Sequence, residues 1–149
     1  MTSVLVLKVR LANARSIWRR VALRGNQTLD DLHDIIFEAF ERYDEHLFSF
    51  HFPPASKIKS NPRMGDRWLD EGPSYAADGQ VYGPEVESLR LDRLKLKPRQ
   101  KFFYVFDFGD EWWHEIEVEA VDAEAEKGKY PRILETKGKS PPQYGEPEE

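Results

Sequence analysis

From Val4 to Leu11 apolar and polar positions alternate, with Leu5, Leu7, Val9 and Leu11 on one face and Lys8 and Arg10 on the other. That period is the signature of a half-buried strand. Asn13-Ala14-Arg15-Ser16 supplies turn residues, and Ile17 to Leu23 resumes the alternation with Ile17, Val21 and Leu23 inward, so the two runs predict a β-hairpin. The spacing then becomes helical. Leu29, Leu32, Ile36 and Phe40, widened by Ile35 and Ala39, make one apolar stripe opposite Asp34, Glu38 and Glu41. Thr28 with Asp31 three residues on is a capping pattern, and Asp30 adds negative charge at the positive end of the helix dipole. A helix from Thr28 to about Tyr43, lying on the sheet, is expected.

Leu47 to Phe52 reads as a third strand with Phe48, Phe50 and Phe52 on one side, ended by Pro53-Pro54, which cannot donate to a ladder. Ala55 to Val86, rich in Gly, Pro, Ser, Asp and Asn, reads as a long loop with one or two short strands. Ser88 to Leu94 suggests a helical turn. Lys101 to Asp107 and Trp112 to Val121 then form a last hairpin, with Ile116, Val118 and Ala120 inward and Glu115, Glu117 and Glu119 outward. In its turn, Gly109 is expected to supply the unusual backbone angles, and Asp107 or Asp110 to bond neighbouring amides. The segment from about 122 to 149 reads as an extended, partly mobile tail. The whole describes one α+β domain spanning 1–149, a mixed sheet of two hairpins plus short strands packed on one main helix.

Composition narrows the chemistry. A chain of 149 residues, 40% hydrophobic and 13% aromatic, is large enough to bury a core without disulfide or metal. There is no cysteine, which removes thiolate nucleophiles, zinc fingers and iron-sulfur clusters. No apolar run approaches the roughly 20 residues of a membrane helix, and the first residues lack a basic-then-apolar leader, so a cytoplasmic protein with no membrane partner is expected. The net charge is −5, yet no acidic residue precedes Asp30 while Arg15, Arg19 and Arg20 cluster around Trp18, and Arg90 to Lys101 is strongly basic. Internal charge complementarity is the plain reading of this pattern. A basic patch at Arg15, Arg19 and Arg20 that neutralises phosphates beside a stacking Trp18 is the sharper one.

Asp107-Phe108-Gly109 matches the metal-binding triplet of protein kinases, but the glycine-rich loop, strand lysine and His-Arg-Asp loop are missing. A candidate polar pocket remains: His33, His46, Asp107, Asp110, Trp112 and His114 converging at one end of the sheet, fit for acid-base work or a hard cation. No compact ligand spacing singles out a metal, and no cofactor motif is present. Trp68, Tyr75, Tyr82 and Trp112 are expected at the surface.

Ile17-Trp18-Arg19-Arg20-Val21, Thr28-Leu29-Asp30-Asp31-Leu32-His33, His46-Leu47-Phe48-Ser49-Phe50 and Phe103-Tyr104-Val105-Phe106-Asp107-Phe108-Gly109-Asp110, followed by Trp112 and His114, form an ordered series over almost the whole chain. Together these blocks resemble the plasmid pRiA open-reading-frame-three-like family, some of whose members carry the label of insertion-element passenger protein. Pro131 and Pro141-Pro142 fit the family's tail, although the cysteine common there is replaced by the Arg132-Ile133 region. The resemblance implies an α+β fold with a β-grasp-like core and supplies no activity. The leading functional reading is a non-enzymatic module that binds a protein or a small molecule. The alternatives are an enzyme or metal-dependent site at His33, His46, Asp107, Asp110 and His114, and nucleic-acid binding linked to mobile elements.

Overall fold

In the computed structural model, which describes residues 3–77 and 86–144, the alternating N-terminal runs pair as β1 (Val4–Leu11) and β2 (Ala14–Arg24). Helix α1 (Leu29–Ala39) follows, opened by a complete capping box: Thr28 Oγ1 accepts from the Asp31 amide, and the Asp31 carboxylate accepts from the Thr28 amide. Such a cap contributes about 1 kcal/mol to the helix. The remaining strands are β3 (Phe48–His51), β4 (Ser74–Ala76), β5 (Lys101–Phe106), β6 (Trp112–Ala123) and β7 (Arg132–Lys137). They form one seven-stranded sheet in the order β4-β3-β5-β6-β1-β2-β7. The sheet, expected to be mixed, is antiparallel in every pairing among the described residues. The protein is a sheet-rich α+β fold with one α-helix among the described residues.

The helix lies over one face, where Leu29, Leu32 and Ile36 meet Leu7, Val9, Leu23, Phe102, Tyr104 and Ile116, all essentially inaccessible to water. On the opposite face the long loop folds back, so that Trp68 and Leu69 pack with Phe103, Val105 and Trp113. This corrects the expectation that Trp68 is exposed: β5 is buried on both sides, and Trp68 meets Phe103 edge-on at 5.1 Å. Tyr75 and Trp112 are half-buried against the main core, and Tyr82 lies outside the described residues. A β-bulge between Val6 and Leu7 in the β1–β6 ladder makes Val121, rather than the expected Ala120, join the core, since an extra residue inverts the alternation beyond it.

Within the segment expected as an extended tail, β7 pairs with the outer edge of β2. All but its first residue are exposed, so its sequence carries no burial pattern. No helix among the described residues is long and apolar enough to cross a membrane.

Candidate functional site

The site begins where α1 stops. Glu41 adopts φ 56°, its amide bonds the Glu38 carbonyl at 3.0 Å, and the Arg42 amide reaches the Phe37 carbonyl at 3.0 Å. These are the bonds of a Schellman ending, whose left-handed position is usually glycine and whose next residue usually packs an apolar side chain back against the helix. Here that next residue is Arg42. The helix therefore ends at Ala39 rather than near Tyr43, and the reversal drives a guanidinium into the interior.

Arg42 is only 8% exposed. Its guanidinium carbon lies 5.3 Å from the Phe40 ring centre, 5.3 Å from Phe106 and 5.1 Å from Trp112. Nη2 donates to His114 Nε2 at 3.0 Å. No carboxylate among the described residues pairs with it. Nη1 and the neighbouring Trp112 Nε1 are buried donors without a partner among the described residues. Burial pushes the Arg42 pKa down to about 10, so the group is still a cation at neutral pH. Three ring faces partly replace its lost hydration.

The histidines are held by defined partners. His114 sits on the helix side of β6, fully buried, with Nδ1–H donating to the Tyr104 carbonyl at 3.2 Å and Nε2 accepting from Arg42. Burial, reinforced by the Arg42 charge, holds its pKa well below the usual histidine range. Glu45 Oε1 lies 2.9 Å from His33 Nε2; a carboxylate only accepts, so in neutral His33 that nitrogen carries the proton and Nδ1 accepts from the Tyr104 hydroxyl at 2.6 Å. The His33 ring stacks on Phe48 with centroids 3.7 Å apart. Tyr104 is sealed, and burial raises its pKa well above the ordinary phenol value.

His46 occupies the outer part of the same region. Its ring stands edge-on to Phe106 at 5.8 Å, and Nε2 lies 2.7 Å from the Tyr144 hydroxyl and 3.5 Å from Asp107 Oδ2. Tyr144 in turn donates to Asp44 at 2.5 Å, a bond that raises its pKa to about 12. Asp107 terminates β5 at φ 65°, and its Oδ1 accepts from the amides of Gly109 at 3.1 Å and Asp110 at 3.3 Å. The left-handed angles of this turn thus belong to Asp107 and Glu111, not to Gly109 as expected, because the aspartate side chain supplies the bonds that hold it there. Asp110 is exposed on the outside of the turn.

The structure thus gathers His33, His46, Asp107, Trp112 and His114 around Phe106 and Tyr104, and leaves Asp110 apart. Sequence reasoning missed Arg42, the residue at the centre, along with Tyr104 and Glu45. A tyrosine between Phe102 and Phe106 on an aromatic strand face was one available signal. Arg42 gave none, because glutamate stood where a glycine marks the end of a helix.

Of the expected basic patch, Arg15 makes two bonds to Glu115, at 3.1 and 3.2 Å, and Arg20 is held by Glu119 at 2.5 and 3.0 Å and by Glu135. Arg19 is buried, capping the helix end through a 2.9 Å bond from Nε to the Ala39 carbonyl. Trp18 is flanked by Lys8 and Arg20 at 4.3 and 5.0 Å. A phosphate at this face must displace carboxylates already in place. For a cation, His33, Asp34 and Glu45 offer ligand atoms within 4.8 Å of one another, whereas both nitrogens of His114 are engaged.

Similarity to other proteins covers both the fold and most of the chain. A solved structure from Methanosarcina mazei Go1, described as the protein of unknown function MM3350, superposes with a TM-score of 0.69 at 24% identity, over 96% of this chain and 74% of that one. The uncharacterised protein y4hQ of Sinorhizobium fredii (strain NBRC 101917 / NGR234) is 30% identical over 146 residues; these cover 95% of this chain and 66% of the relative's length. The model of the plasmid pRiA4b ORF-3-like proteins matches residues 3–145, and the chain belongs to that family.

Proposed function

We propose that this protein is a non-enzymatic binding module that takes the carboxylate of a ligand onto Arg42 and Trp112. The observation that carries this reading is the pair of buried donors, Arg42 Nη1 and Trp112 Nε1, beside a cation with no carboxylate partner among the described residues. A carboxylate is planar, accepts only and carries the missing charge, so one oxygen for each donor satisfies both. Trp112 is half-buried, so the two donors lie beneath a ring that reaches the surface. Catalysis has less support, since His33 and His114 are committed at both nitrogens and the Tyr104 hydroxyl is sealed and protonated. The opening hairpin followed by a helix across the sheet supports the β-grasp-like description for the first half of the fold only.

The test uses acetate as the probe, with chloride at equal ionic strength as the control. Acetate should shift the Trp112 indole N–H resonance in the native protein and leave it unmoved in Arg42→Met. An equal shift in that variant, or none in the native protein, rejects the reading.

A second reading rests on a separate observation, the convergence of His33 Nε2, Asp34 and Glu45. Burial, followed by the neighbouring Asp30, raises the Asp34 pKa, and a divalent cation relieves that repulsion. His33 would then carry its proton on Nδ1 and donate to the Tyr104 oxygen, in exchange for the bond the Tyr104 hydroxyl now donates to it. Co2+ should give a visible absorption band that weakens about 10-fold or more in Glu45→Gln and in Asp34→Asn. A band indifferent to both changes, or no band, removes the idea.

A further inference from the structure

We propose that the groove between the long loop and the approach to β5 docks an extended acidic segment of a partner protein. The cavity measures about 1110 Å3. Pro53, Pro54 and Pro73 line it from the loop side, and Lys95, Lys97, Arg99 and Lys101 from the other. Among the described lining residues, one acid, Glu71, stands against those four cations. None of the four is in an ion pair among the described residues. On a chain whose net charge is −5, this is a local reversal of sign. It differs from the charged face of β1, β2 and β6, where arginines and glutamates neutralise one another.

The cationic wall is built on a constrained turn. Lys95 and Arg99 hold φ angles of 55° and 74°, the left-handed region that a residue with a side chain disfavours. The Arg99 amide bonds the Val118 carbonyl at 2.7 Å, and Lys97 and Gln100 bond each other, amide to side chain at 3.1 Å and amide to carbonyl at 3.0 Å. Strain kept in place by such bonds is typical of sites that hold side chains ready for a partner.

The chemistry of the walls selects a peptide over a nucleic acid. Single strands are held by stacking bases on free aromatic faces as well as by phosphate contacts. The aromatic residue among the described residues lining this groove, Phe52, is 9% exposed, stacked on Phe102 at 4.6 Å and edge-on to Tyr75 at 5.8 Å. It has no face to offer. Proline rings accept alkyl side chains, and three lysines and an arginine accept carboxylates. The occupant is therefore an extended chain in which glutamate or aspartate alternates with aliphatic residues.

The probe is a fluorescein-labelled peptide of about ten residues, alternating glutamate and leucine, read by fluorescence anisotropy. It is compared with the glutamine-leucine peptide and with a single-stranded oligothymidylate of similar length. The acidic peptide should bind best, lose affinity as salt rises, and weaken about 10-fold or more in the Lys97→Glu/Arg99→Glu variant. Both residues are exposed, and circular dichroism checks that the variant is folded. The acetate response of the Trp112 indole N–H should persist in the Lys97→Glu/Arg99→Glu variant, which separates failure of this groove from failure of the carboxylate site. The proposal is overturned if the neutral peptide binds equally well, if the oligonucleotide binds more tightly, or if charge reversal has no effect.

Discussion

Arg42 Nη2 donates to His114 Nε2 at 3.0 Å, and this one contact fixes the tautomer of a histidine on a different element. With Nε2 accepting, Nδ1 must carry the proton, and it donates to the Tyr104 carbonyl on the adjacent strand. A helix ending, β6 and β5 are joined by a polar chain whose only formal charge at neutral pH is the guanidinium.

Replacing that guanidinium by a side chain of similar length removes an unneutralised buried cation and sacrifices one hydrogen bond. Uncompensated buried charge generally costs more than such a bond returns. Arg42→Met should therefore stabilise the fold by about 1 kcal/mol in urea unfolding while abolishing the acetate response. A variant less stable than the native protein would mean that the three aromatic rings and His114 more than offset the desolvation.

The depressed pKa of His114 makes stability fall in acid. The unfolded chain takes up a proton as pH drops through about 6.5, whereas folded His114, held down first by burial and then by Arg42, does not. His51, lowered mainly by burial, adds in the same direction. Stability should be fully present above pH 6.5 and decline below it, by up to about 1.4 kcal/mol per pH unit for each histidine. His114→Gln can keep both hydrogen bonds without titrating. Unfolding curves for this variant between pH 7 and 5 should lose roughly one proton's worth of slope, and an unchanged slope would assign the acid sensitivity elsewhere.

The helix ending carries strain that a single change relieves. Glu41 is exposed and left-handed, at the position where glycine is favoured. Glu41→Gly should raise the unfolding midpoint, by about 1 kcal/mol in stability, with a small offset from the lost attraction between Glu41 and Arg19. Loss of stability would show that the Glu41 side chain matters more than its backbone angle.

Gly72 marks a close approach at the wall of the groove. A Cβ there would stand 2.0 Å from the Phe52 carbonyl oxygen and 2.9 Å from its carbon, with backbone on both sides of the clash. Gly72→Ala should cost on the order of 3 kcal/mol in thermal or urea unfolding, as overpacking against an immovable group does. It should also displace Pro73 and weaken acidic-peptide binding; a neutral change would mean that the loop has room to move.

What a short repeat encodes is readable from the residues alone. The hairpin of β1 and β2 and the capped helix were legible because each buries one side of a regular element, which imposes a period; the aromatic strand and the final hairpin, with β3 and β5 buried on both faces, were legible from their runs of aromatic and β-branched residues between turn signals. The β7 strand was not legible, since an edge strand exposed on both faces needs no apolar alternation. Trp68 read as a surface residue because only the tertiary fold brings the long loop over the buried side of β5. The candidate histidines and Asp107 were found from residue type, and Phe106 and Tyr104 are the frame that unites them. Arg42 was decided by tertiary structure alone: a Schellman ending with glutamate in place of glycine turned an ordinary charged residue inward, and no local pattern records the direction in which a chain leaves a helix.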